Sequence, residues 1–123
     1  MKSYIVDTYA WISYFEGEER FRGEIEENAL YTPSIVLAEI SRITTRKKVP
    51  TEKRRRVLDF IRARSLILNL DEDDAIKAGE VTEREGLYLI DGIIYSYANE
   101  HNNLLTGDKH FKDKTNVKLI EKE

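Results

Sequence analysis

Four carboxylates in the chain, Asp7, Glu39, Asp91 and Asp108, stand at the end of an apolar run or inside one. The runs read YIVD, SIVLAEI, LYLID and LLTGD. An ionised carboxylate beside buried apolar surface is costly unless something compensates it. A hard divalent cation held by oxygen ligands would compensate all four together. Without one, three or four like charges in one cleft repel each other and resist ionisation. Oxygen-only ligation favours Mg²⁺ or Mn²⁺ over zinc, which prefers nitrogen and sulfur. The chemistry such a centre supports is hydrolysis by a water molecule activated at a metal ion.

Each acid also has a plainer reading. Asp7 and Asp91 precede helical patterns and suit N-caps, and Asp108 lies in the turn-forming TGDK. Glu39 resists that treatment. Ile35, Glu39 and Ile43 are spaced i, i+4, i+8 and share one helical stripe, with Val36 and Ile40 beside it. Glu39 therefore lies on or beside an apolar face, where glutamate is rare unless paired. Thr8 and Thr106 adjoin the acids, and their hydroxyls suit either local capping or the orientation of a carboxylate. His101 and His110 are not in ligand spacing and read as a helix-end residue and a loop residue. Asp113 and the run Asp71–Asp74 read as turn, cap and first-turn charges.

These residues need elements that bring them together. Residues 2–7 read as a short buried strand ending at Asp7. Residues 8–16 and 20–28 read as two short helices parted by Gly17, and residues 29–32 as a strand. Thr32 then Pro33 predicts a helix start, with a hydroxyl cap and proline at the first helical position. That helix extends to Lys47. Pro50 and Thr51 open a helix over 51–64 with Val57, Leu58 and Ile61 inward. SLILNL, residues 65–70, predicts a strand. Asp71 caps a helix over 72–85 that Gly86 ends, and residues 89–101 predict a helix starting near Asp91. Residues 103–106 predict a strand, GDKHF a turn, and residues 117–120 a last strand. Short apolar strands alternating with amphipathic helices predict an α/β sandwich around a mainly parallel sheet of five strands. Ligands of such sheets gather beyond the carboxyl ends of the strands, where Asp7 and Asp108 fall.

Composition narrows the function classes. The chain has 123 residues, 41% of them hydrophobic and 35% charged, which suits a single folded domain over 1–123 rather than a disordered tail. No apolar stretch is long enough to cross a bilayer. MKSYIVDTYAW is interrupted by Asp7 and does not read as a signal peptide. The absence of cysteine excludes disulfide scaffolds, thiolate metal sites and cysteine nucleophiles. A cytoplasmic location fits these features. The lack of glutamine, with a single methionine and abundant Glu, Lys and Arg, resembles thermophile usage.

The net charge is −3, yet ten of the 20 Lys and Arg lie between Arg42 and Arg64. They include Arg42, Arg46, Lys47, Lys48, Lys53 and Arg54, opposed there only by Glu52 and Asp59. Such a segment is either a solvated helix face or a phosphate-tracking surface. Beside an acidic metal site it suits a polyanionic substrate whose scissile phosphate must approach the acids.

The order and spacing of IVDTYAWI, PSIVLAEI, LIDGIIYSYA, LLTGDKHF and a final VKLI are similar to those of the PIN-domain family, in particular its VapC-type toxin ribonucleases. The resemblance covers essentially the whole chain. It implies a three-layer α/β/α fold, often dimeric, with Asp7, Glu39, Asp91 and Asp108 as the acidic site. It also implies Mg²⁺- or Mn²⁺-dependent endonucleolytic cleavage of RNA, and for toxin members an antitoxin whose C-terminal segment covers the active-site groove. Gly92 departs from the family's usual alanine, a loss of one methyl expected to matter little. A PIN nuclease of RNA processing that is not a toxin carries the same motifs. A receiver-type phosphoacceptor domain also places carboxylates at strand ends, but it needs an acidic pair at the first strand and a lysine after the last. A HAD-type phosphatase needs D-x-D where this chain has Asp7, Thr8, Tyr9.

Overall fold

The computed structural model describes residues 1–121. Five strands form one parallel sheet: β1 (Ser3–Val6), β2 (Ala29–Pro33), β3 (Leu66–Leu68), β4 (Asn103–Thr106) and β5 (Val117–Leu119), in the order β3-β2-β1-β4-β5. Between them run α1 (Thr8–Phe15), α2 (Glu19–Glu26), α3 (Ser34–Arg46), α4 (Thr51–Arg64), α5 (Glu72–Glu85) and α6 (Leu89–Tyr95), with a 3₁₀ turn at Lys109–Phe111. Parallel crossovers are right-handed, so connections that step one way from β1 and those that step back across it lie on opposite faces. Most helix contacts fall into the same two groups, α1 with α2 and α3, α3 with α4, and α5 with α6, and the two groups meet where α3 touches α6. The result is the three-layer α/β/α sandwich expected. Among the described residues no helix is long and apolar enough to cross a membrane.

The two central strands account for the core. Tyr4, Ile5 and Val6 of β1 and Leu104 and Leu105 of β4 are buried together with Trp11, Phe21, Ile40 and Phe111. A strand covered on both faces reads as a continuous apolar run, and YIV and LL do so. Register pairs Ile5 with Leu104 and Val6 with Leu105. The next rung therefore sets Asp7 level with Thr106, at the carboxyl edge of the sheet.

Three local expectations are corrected. Thr32 is not a helix cap. It is buried in β2, where its Oγ1 accepts from the Trp11 indole N–H at 3.1 Å and bonds Ser65 Oγ at 2.8 Å. Pro33 is the N-cap and Ser34 the first helical residue. A buried indole N–H needs an acceptor, and that demand claims the hydroxyl. The strand expected over 65–70 is reduced to Leu66–Leu68, because it is an edge whose pairing with β2 stops at Pro33. The helix expected over 89–101 ends at Tyr95. Asn99 Oδ1 accepts from the N–H groups of His101 and Asn102 at 2.9 Å, and this side-chain turn competes with the helix.

Candidate metal centre

Asp7 leaves β1 and enters α1 as its N-cap. Oδ1 accepts from Ala10 N–H at 2.8 Å, and Oδ2 accepts from the Thr106 hydroxyl across the β1–β4 rung. That hydroxyl in turn accepts from Asp108 N–H at 3.0 Å. Thr106 thus ties the first and last acids of the set together. Asp108 caps the 3₁₀ turn, its Oδ1 accepting from His110 N–H at 2.9 Å. The cap and turn readings of Asp7 and Asp108 are therefore correct, and they do not compete with a site. The capping bonds fix where each carboxylate points.

Asp91 differs. Tyr88 occupies the N-cap of α6, so Asp91 stands within the first turn with no capping bond of its own. The contact of α3 with α6 brings Glu39 toward it. Glu39 accepts from the Thr8 hydroxyl at 2.6 Å, which turns it off the apolar face of α3 and toward the start of α1. All four acids line one cavity of about 430 Å³ at the carboxyl ends of the strands. Thr8 lines it too, while Thr106 lies behind it, buried against Asp7.

The electrostatics of this cavity disfavour ionised carboxylates. Asp7 is 3% exposed, and its pKa is raised from 3.8 to about 7. Burial is the main cause; the Thr106 and Ala10 hydrogen bonds oppose it, and the charges of Asp108 and Asp91 add to it. Asp91 is also raised, first by burial, then by Asp108 and Glu39, with His110 opposing. Glu16 and Glu18 add two further carboxylates to the lining, with Arg20 the one basic side chain there among the described residues. Arg20 is held at 2.8 Å by Glu18 and donates to the Ile120 carbonyl at 3.0 Å. Six carboxylates around one guanidinium make a site for cations. The donor set fits a divalent ion: hard carboxylate oxygens from Asp91 and Asp108, with Asp7 behind them. No lysine lines the cavity among the described residues, which leaves a receiver-type phosphoacceptor without the lysine it needs.

Sequence spacing missed His110. The 3₁₀ turn folds it back so that it joins Asp91 and Asp108, with ligand atoms of the three all within 4.8 Å of one another. Asp91 lies 19 positions away from His110, so no local motif signals the approach. His101 lies on the surface with Nε2 3.3 Å from Glu100 Oε1 and is not part of this cluster. Glu16 and Glu18 were equally illegible, since nothing in their spacing sets them apart from Glu19, Glu24, Glu26 and Glu27 that follow.

The basic segment divides. Arg42, Arg46, Lys47, Lys48 and Lys53 are exposed. Arg42 and Arg46 follow Glu39 at i+3 and i+7 and extend its face of α3 away from the cavity. Arg54 is spent locally: it donates to the Val49 carbonyl at 3.1 Å, Thr45 Oγ1 at 2.9 Å and Thr51 Oγ1 at 3.1 Å. It staples the α3–α4 connection.

Solved structures share this fold over nearly the full chain. A toxin–antitoxin complex from Klebsiella pneumoniae aligns with a TM-score of 0.75 at 22% identity, covering 98% of this chain and 100% of that one. VapBC2 from Rickettsia felis, bound to a DNA fragment from its promoter, gives 0.74 at 24% identity, with 98% of each chain covered. VapBC-5 from Mycobacterium tuberculosis, a member of the VapBC family of toxin–antitoxin systems, gives 0.65 at 19%, with 99% of this chain and 100% of that chain covered. No curated protein matches the chain. The family model described as PIN domain matches residues 4–117, a span that holds all four acids and reaches from β1 to the start of β5, and the chain belongs to that family.

Proposed function

We propose that the chain is a divalent-metal-dependent endoribonuclease and the toxin of a type II toxin–antitoxin pair. The observation that carries this is the convergence of Asp7, Asp91 and Asp108 at one strand edge, where Asp7 and Asp91 resist ionisation in the absence of a cation. Mg²⁺ or Mn²⁺ bound there supplies an activated water and neutralises charge on the phosphate being cleaved. Asp91 and Asp108 hold the ion, and Asp7 closes the deep side of the site with its carboxylate oriented by Thr106. Glu39, aimed by Thr8, is placed to orient the attacking water and take its proton. Arg42 and Arg46 lead along α3 from Glu39 and offer phosphate contacts to an RNA strand entering the cavity.

The toxin reading draws on the solved neighbours that come from toxin–antitoxin systems and on the PIN family membership. It implies a cognate antitoxin that covers the acidic cavity. The exposed side chains of Ile76, Tyr88, Leu89 and Ile90 offer an apolar face on α5 and α6 for a second copy of the chain, consistent with a homodimer.

Asp91→Asn tests the centre most cleanly. Asp91 caps no backbone amide, and burial with the neighbouring acids disfavours its charge, so without metal the variant should be at least as stable as the wild type. RNA cleavage in Mg²⁺ or Mn²⁺ should fall by at least ~100-fold. Cleavage that persists in Asp91→Asn, or in excess EDTA, would overturn the reading.

A further inference from the structure

His110 is fixed beside the acids from two directions. Its backbone N–H donates to Asp108 Oδ1, and the ring of Tyr88 meets the imidazole edge-on with centroids 5.6 Å apart. Nδ1 then lies 3.4 Å from Asp108 Oδ1 and 3.5 Å from Asp91 Oδ2. A direct charge-assisted hydrogen bond would be shorter, about 2.7–2.9 Å. Two donor atoms each bound at about 2.1 Å to one cation are instead separated by roughly 3.0 Å at a right angle and 3.4 Å at a tetrahedral one. The imidazole nitrogen therefore stands off both carboxylates at 3.4–3.5 Å, and a closure of about 0.5 Å brings it to the ~3.0 Å that adjacent ligands of an octahedral ion need.

The identity of the donor then matters. Mg²⁺ is hard, takes oxygen ligands and dehydrates reluctantly. Imidazole nitrogen binds first-row transition ions, of which Mn²⁺ is the weakest binder, better than it binds Mg²⁺. We propose that His110 supplies a nitrogen ligand to the cation held by Asp91 and Asp108, and that this mixed nitrogen–oxygen set gives the site a preference for Mn²⁺ over Mg²⁺. The inference rests on the metal-dependent reading of the same cavity. Tyr88, which is 74% exposed, acts as a positioning residue that keeps the ring turned inward. His101 sits on the surface beside Glu100, so nitrogen ligation at this cavity points to His110 alone among the histidines.

The test uses the full chain and the metals themselves. Mn²⁺ bound to the wild type should show nitrogen hyperfine coupling in pulsed electron paramagnetic resonance, and His110→Ala should lose it. By calorimetry, His110→Ala should lower Mn²⁺ affinity at least ~10-fold, since loss of even an outer partner of a ligand costs about 10- to 100-fold. Mg²⁺ affinity should change much less. His110→Asp, which exchanges nitrogen for oxygen, should bind Mg²⁺ more tightly than His110→Ala does and narrow the preference for Mn²⁺. Because His110 is an exposed residue, each variant should retain the wild-type circular dichroism spectrum. An Mn²⁺ spectrum of the wild type without nitrogen coupling, or a His110→Ala chain that binds Mn²⁺ as tightly as the wild type, overturns the role of His110 and leaves the metal-dependent nuclease standing. A wild-type chain that binds neither ion overturns both.

Discussion

Asp7 serves the fold and the site with the same two oxygens. Its capping bond to Ala10 and its bond from Thr106 hold the carboxylate in place, while burial and the neighbouring acids hold its pKa near 7. An unfolded aspartate titrates near 3.9. Between these values the folded chain binds more protons at this group than the unfolded chain does. Its contribution to stability is therefore fully present below about pH 4 and is lost as pH rises to about 7. Removing the charge removes that slope. In EDTA at pH 8, Asp7→Asn should be more stable than the wild type by roughly 1–4 kcal/mol, an advantage that shrinks as pH falls toward 4. Urea unfolding across this range measures it. The same variant should lose RNA cleavage, so stability and activity move in opposite directions. A stability difference that stays constant across the pH window would remove burial as the cause.

The packing of α6 on α5 fixes where Asp91 points, and Gly92 controls that packing. A Cβ at Gly92 would lie 1.7 Å from Thr82 Oγ1 and 2.9 Å from Thr82 Cα. The second contact is with backbone, so no change of side-chain rotamer relieves it. The expectation that a missing methyl matters little here is therefore wrong: glycine is what permits the two helices to approach. Gly92→Ala should cost roughly 1–3 kcal/mol as overpacking. It should also reduce cleavage, because α6 must shift and carry Asp91 with it. Thr82→Ala in the same chain removes only the hydroxyl contact and should restore part of the loss. Thermal melts of the single and double variants, read beside their cleavage rates, check this. A Gly92→Ala chain with wild-type stability and activity would refute it.

Over the whole molecule, charge is separated into an acidic cavity and a basic α3–α4 flank. Binding of RNA by that flank should weaken as salt rises, and each phosphate contact should contribute about 0.7 to the slope of log affinity against log salt on a single strand. Arg42→Ala with Arg46→Ala should reduce that slope by about 1.4 with little change in stability. Arg54→Ala should do the reverse, costing roughly 1–2 kcal/mol through the lost staple of the α3–α4 connection and leaving the slope nearly unchanged. Fluorescence anisotropy of labelled RNA at several salt concentrations separates the two outcomes. An unchanged slope in the Arg42 and Arg46 variant would move the RNA path elsewhere.

The sequence by itself determined the central strands, the helices between them and the four acids. Residues 4–6 and 104–105 are covered on both faces, and that burial writes itself as unbroken apolar runs in front of Asp7 and Asp108. Glu39 was legible because a charge on an apolar stripe breaks a period. The tertiary structure decided whatever depends on a partner distant in the chain. Thr32 is spent on Trp11 and Ser65, Gly92 is required by Thr82, and Arg54 is absorbed by a loop. His110 acquires a role because α6 delivers Asp91 to it. Local patterns record which face of an element is buried; they hold no record of the atom on another element that a side chain will meet.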